Sequence, residues 1–257
     1  MLKERLRREA EYFFGAVRFF TRLPVPAWVG HSAEALNASA RYFPAVGLLV
    51  GGIGALVFAL AALFWAKPVA VLLSMAATVL ATGAFHEDGL ADTVDGFGGG
   101  WEKARILEIM KDSRVGSYGV VALALALTGK FALLLSLPDA LVPAALVAGH
   151  ALSRFASTTL LSALDYVRED AQSKAKPLAT RLSPGAMAVA AGFALAGLAA
   201  LPLGKSIAGC CLAALATLWL ARWFRRWIGG YTGDCLGAAQ QVSEIAFYLG
   251  VAAAWPA

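Results

Sequence analysis

Long apolar runs alternate with polar connections along this chain, and the connections are unequal in length and charge. Stretches close to the ~20 apolar residues that a bilayer-crossing helix needs recur at 44–66, 68–85, 118–136, 140–163, 184–203, 206–221 and 235–256. They predict an all-α integral membrane protein, a bundle of about seven transmembrane helices in which residues 1–257 form a single polytopic domain. Ahead of the bundle, residues 1–22 read as an amphipathic interfacial helix with Leu6, Phe13, Phe14, Val17, Phe19 and Phe20 as its apolar part. Lys3, Arg5, Arg7 and Arg8 alternate there with Glu4, Glu9 and Glu11, and no short apolar core with a cleavage site follows, so no signal peptide is read. The run RFFTRLPVP, Arg18–Pro26, ends this helix at a proline-rich turn.

Composition agrees with a membrane protein and leaves little room for a soluble domain: 59% of residues are hydrophobic and 15% charged. Cys210, Cys211 and Cys235 lie within or at the start of apolar runs, which suggests neither a disulfide framework nor a zinc site. Lys and Arg number 7, 1, 4, 0, 4, 1, 3 and 0 in successive connections, starting with the interfacial segment 1–43. Such an alternation places the N-terminus and the 86–117 loop on the cytoplasmic side. Membrane lipid is therefore a partner, and the net charge of +5 is explained by topology and anionic headgroups, with no nucleic acid implied.

The chemistry concentrates in 86–117, HEDGLADTVDGFGGGWEKARILEIMKDSRVGS. Asp88, Asp92 and Asp95 recur at i, i+4 and i+7, which on a helix sets three carboxylates in one stripe. Two carboxylates ~4 Å apart repel by about 4 kcal/mol at an effective dielectric of 20, so the stripe calls for a cation, protonation or solvation. Oxygen ligands of this kind suit Mg²⁺ completed by water and substrate phosphate, with Glu87 beside the stripe. The plainer alternative is a solvated acidic loop or a set of helix caps. Interleaved glycines (Gly89, Gly96, Gly98) favour the ligand site, as do the phosphate-binding types Lys111, Ser113 and Arg114.

Polar residues inside the apolar runs are the second set of candidates: Lys130, then His150, Ser153 and Arg154, then Gln240, Gln241, Ser243 and Glu244. An ionised group at mid-bilayer costs about 2.5–3.5 kcal/mol on insertion scales, so these residues face a polar cavity or one another. Arg154, Gln240, Gln241 and Glu244 are expected to line a substrate cavity open to the cytoplasm, whereas Lys130 reads equally as a snorkelling side chain. The polar loop from Asp165 to Pro184 is a candidate lid or a solvated connection, and the turn 229–234 adds Thr232 and Asp234. Carboxylates, glycines and cations at the mouth of a bundle fit Mg²⁺-dependent transfer from a diphosphate. They do not separate a CDP-alcohol phosphotransferase-like enzyme, a prenyltransferase-like enzyme and another nucleotide-diphosphate transferase. A cation-coupled transporter and a structural subunit remain as readings of other classes.

The runs FHEDGLADTVDGFGGG (Phe85–Gly100), IMKDSRVGSYG (Ile109–Gly119) and TGDCLGAAQQVSE (Thr232–Glu244), with RFFTRLPVP, resemble the signatures of the cobalamin synthase family. The resemblance implies an enzyme of the bacterial inner membrane that joins adenosylcobinamide-GDP to α-ribazole or its 5′-phosphate and releases GMP, with Mg²⁺. Mapped onto the residues above, it implies Asp88, Asp92 and Asp95 as metal-binding catalytic acids, helped by Glu87, Asp112 or Asp234, and Lys111, Arg114 and Arg154 as phosphate ligands. A carboxylate outside the metal shell or His86 would take the proton. Further copies of the chain and other enzymes of nucleotide-loop assembly are the protein partners it suggests.

Overall fold

The computed structural model describes residues 2–30, 32–168 and 181–253. Among these residues every regular element is helical, apart from an isolated parallel bridge between Tyr166 and Tyr231. In chain order the helices are α1 (Leu2–Phe20), α2 (Ala33–Ser39), α3 (Phe43–Ala61), α4 (Lys67–Thr82), α5 (Phe85–Gly99) and α6 (Lys103–Ile109). They continue as α7 (Ser117–Ser136), α8 (Val142–Ala163), α9 (Pro184–Gly197), α10 (Leu203–Ile228) and α11 (Gly233–Ala252).

Each of the seven expected apolar segments contains a helix, but the helices differ in what they can span. Ala35–Ala61, Ser117–Ser136, Asp139–Ala163 and Leu203–Ile228 are long and apolar enough to cross a membrane, and α4 with α5 makes one more if the bent pair is a single span. Helix α9 has only 14 residues, while α11 has 20 and carries Asp234, Gln240, Gln241 and Glu244. Large apolar side chains stand exposed around the bundle, among them Leu56, Leu80, Leu125 and Leu215. So wide an apolar exterior belongs in lipid, and the chain is a multi-pass α-helical membrane protein.

One expectation is extended and one corrected. The apolar side of α1 does not serve the bilayer alone, because Ala16, Val17 and Phe20 are buried in a core cluster with Phe43, leaving residues such as Leu6 exposed. Nor is 86–117 mainly loop. Gly83 and Ala84 adopt left-handed backbone (φ +67° and +59°), which ends α4. The chain then restarts at 86° as α5, and α6 follows.

Small residues decide how near the helices come. At Gly47 an added Cβ would sit 2.6 Å from Ala151 Cα, and at Gly51 2.7 Å from Val147 Cα, so α3 and α8 touch backbone to backbone. Helix α11 packs against α5, α7, α8 and α10. The connections after α6, α8 and α10 meet at one end of the bundle: Tyr231 N–H donates to Asp165 O (2.9 Å), Val167 N–H to Tyr231 O (3.0 Å), and Arg168 to Met110 O (3.2 Å). At the opposite end Lys67 pairs with Asp139 (2.9 Å) and Lys205 Nζ donates to Val251 O (2.8 Å).

Replacing Gly51 by Ala is therefore expected to destabilise the protein by about 1–3 kcal/mol through overpacking, read as thermal unfolding in detergent. Gly52→Ala, with nothing within 4 Å of the added carbon, is the control expected to show no loss.

Candidate active site

Helix α5 carries the acids, and its glycines bring it against the start of α11. A Cβ on Gly89 would lie 3.0 Å from Asp234 O and 3.2 Å from Gly237 Cα, while one on Gly237 would lie 3.2 Å from Gly89 Cα. The two helices thus cross at nearly bare backbone. This crossing couples Asp92 electrostatically to both Asp234 and Asp88, and Asp234 in turn to Asp88. Asp88 is exposed, Asp92 and Asp234 partly buried. Asp234 is balanced by Arg168, whose Nη2 donates to Asp234 Oδ2 at 2.7 Å.

Asp95, the third member of the expected stripe, is otherwise engaged. It is 8% exposed and accepts the N–H groups of Gly116 (2.7 Å) and Gly119 (2.9 Å) at the start of α7. A carboxylate there satisfies orphan donors and meets the positive end of the helix dipole. Side chains at 116 or 119 would displace it, since an added Cβ would come within 2.8 Å and 3.1 Å of Asp95 Cγ respectively. Asp112 is also committed, to Arg114: Nη2 reaches Oδ2 at 2.6 Å and Nε reaches Oδ1 at 3.0 Å. Those hydrogen bonds hold the Asp112 carboxyl down at about 2. Lys111 and Ser113 flank it, both exposed.

Among the described residues no three His, Cys, Asp or Glu side chains form a ready metal cage. The donor set fits a hydrated Mg²⁺ instead: Asp88, Asp92 and Asp234 supply oxygen only, and such an ion is normally completed by water and substrate phosphate. Thr232, expected on the substrate, is fully buried as the N-cap of α11, where Oγ1 accepts from Cys235 N at 3.2 Å. Its neighbour Tyr231 is buried too, and burial pushes its hydroxyl up to about 12. His86 is buried and stacked on Phe20 with 5.3 Å between ring centroids, and its Nε2 has no partner.

The intramembrane candidates come together, but in a closed network. Lys130 Nζ lies 3.1 Å from Glu244 Oε1. Gln240 Nε2 donates to Glu244 Oε2 (2.7 Å) and to Ser153 Oγ (2.8 Å). Gln241 Nε2 donates to Gln240 Oε1 (2.9 Å) and to Glu87 Oε1 (3.0 Å). Arg154 Nη1 donates to His150 O at 3.0 Å and sits 3.2 Å from His150 Nδ1. Arg154, Gln240, Gln241 and Glu244 are all at most 2% exposed, so they do not line an open cavity in this state. Arg154 Nε, Gln241 Oε1 and Glu87 Oε2 are buried without a hydrogen-bond partner, which is the capacity a ligand or water would meet. The expected lid falls largely on 169–180, outside the described residues.

Sequence reasoning gave no role to Gly116, Gly119 or Arg168 and did not pair Lys130 with Glu244. Gly116 and Gly119, three apart at a helix start, were the available sign that a carboxylate docks there. Lys130 and Glu244 are opposite charges in separate apolar runs, which invites pairing. The partner of Arg168 had no sequence signal.

Comparison with known proteins identifies a family. The model of a family described as cobalamin-5-phosphate synthase matches residues 12–252. An adenosylcobinamide-GDP ribazoletransferase of Leptothrix cholodnii is 52% identical over 261 residues, covering 97% of this chain and 98% of its own. Proteins of the same name from Shewanella amazonensis and Vibrio cholerae are 50% and 48% identical, covering 97% and 95% of this chain and 97% and 94% of their own. No solved structure matches.

Asp95→Ala is expected to cost about 1–2 kcal/mol, the usual effect of a lost helix cap, seen as a lower unfolding temperature in detergent. Asp95→Asn, which keeps one acceptor oxygen, is expected to lose less.

Proposed function

The chain belongs to the cobalamin-5-phosphate synthase family, and from that premise we propose how its carboxylate face performs the family's transfer. The enzyme is a transferase of cobalamin nucleotide-loop assembly: it joins adenosylcobinamide-GDP to α-ribazole or its 5′-phosphate and releases GMP. A ribazole hydroxyl oxygen bonds to the phosphorus that bears the corrinoid's aminopropanol arm. The bond from that phosphorus to the bridging oxygen breaks, GMP leaves with the electron pair, and the hydroxyl proton passes to a base.

The juxtaposition of Asp88, Asp92 and Asp234 across the α5–α11 crossing carries this reading. Mg²⁺ would be held by Asp88 and Asp92 with Asp234 beside them, and when bound it would neutralise the diphosphate and the leaving phosphate. Lys111 and Arg114, on the exposed connection ahead of α7, are placed to draw in the anionic nucleotide end. Arg154 Nε offers a buried donor to the substrate once the site opens. With Asp88 and Asp92 given to the metal, His86 is the candidate base outside that shell, and it requires Phe20 to move. The face lies at the end of the bundle where the Arg-rich connections gather, which supports a cytoplasmic active site in the bacterial inner membrane.

The test is GMP release by the full chain in detergent or liposomes, given adenosylcobinamide-GDP, α-ribazole and Mg²⁺. EDTA is expected to abolish it. Asp92→Ala is expected to lower kcat by about a hundred- to a thousandfold, the scale of losing one preorganised charge-stabilising element. Near-native turnover by a folded, membrane-inserted Asp92→Ala protein sinks the metal assignment.

A further inference from the structure

Lys130 has no part in the transfer just described, yet it is a buried cation deep in α7, 6% exposed. Its contacts begin an unbroken series. Lys130 pairs with Glu244, which accepts from Gln240; Gln240 Oε1 accepts from Gln241, and Gln241 donates its other N–H to Glu87 on α5. Both N–H groups of Gln240 are used, on Glu244 and Ser153, and both N–H groups of Gln241, on Gln240 and Glu87. Neither amide can flip without breaking two bonds. Each link also polarises the next in a low-dielectric interior. The far end, Glu87, sits one residue before Asp88 and five before Asp92 on the same helix.

We propose that Lys130, Glu244, Gln240 and Gln241 are positioning residues that fix the roll of α5 about its axis, and with it the direction of Asp88 and Asp92. The inference rests on the carboxylate reading above and extends it to α7, which bears none of those acids. Glu244 acts here through its neighbours and touches no substrate. Lys130→Met removes the ammonium partner of Glu244 and leaves it His150 at 3.7 Å, whereas Lys130→Arg keeps the charge. Gln241→Met leaves the ion pair intact and removes the links to Gln240 and Glu87.

The experiment measures kcat and KM for GMP release by the full chain, together with hydrogen exchange across residues 85–99, which reads α5 whether or not the protein turns over. Lys130→Met and Gln241→Met are expected to lower kcat by about ten- to a hundredfold at unchanged KM, the scale of a misplaced catalytic group, and to speed α5 exchange. Lys130→Arg is expected to rescue both. If Lys130→Met fails to accumulate, Gln241→Met decides. A rise in KM at unchanged kcat would make these residues substrate ligands and overturn the proposal. So would unaltered α5 exchange and kcat in the folded Gln241→Met protein. Absence of GMP release from the wild type would instead count against the assigned reaction, and exchange across α5 would still judge the positioning chain.

Discussion

Two backbones almost in contact organise this protein. Where α5 crosses α11, Gly89 faces Gly237, and the approach is too close for a methyl group on either side to fit without a shift. Asp234, in the first turn of α11, would stand apart from α5 if ordinary side chains separated the two helices. Here it belongs to the same electrostatic group as Asp88 and Asp92. Lipid gives helices no hydrophobic reason to associate, so such close packing carries much of the burden of association.

The acids gathered this way repel one another, and the surroundings answer each differently. Asp234 has Arg168, Asp112 has Arg114, and Asp95 has the N-terminus of α7. Asp88 and Asp92 are left to a cation or to solvent. Deeper in the bundle the rule is stricter, because removing one partner of a buried pair commonly costs about 3–5 kcal/mol. Lys130 and Glu244 therefore hold α7 and α11 in register, and Gln240 and Gln241 extend that register to α5.

Much of this could be read from the chain. The apolar runs marked the helices, and the i, i+4, i+7 spacing set the acids on one helix, because both are periodic and local. The division of labour among those acids was not legible, since it depends on tertiary partners: Asp95 meets N–H groups 21 and 24 residues away. Thr232 looked like a substrate contact in a glycine-rich turn, and only the start of α11 shows it to be a cap. Lys130 could equally have snorkelled; its partner is on a helix more than a hundred residues on. The break after α4 was hidden because Ala84, unlike Gly83, gives no hint of left-handed backbone.

That break leaves α4 with 16 residues, about 24 Å of helix against a hydrocarbon core of ~30 Å. Were α4 to cross the membrane alone, the bilayer would have to thin or the helix draw its polar ends inward, at a cost of fractions of a kcal/mol per Å. Because α5 continues directly from that short helix, the thickness of the surrounding bilayer would then reach the acidic face.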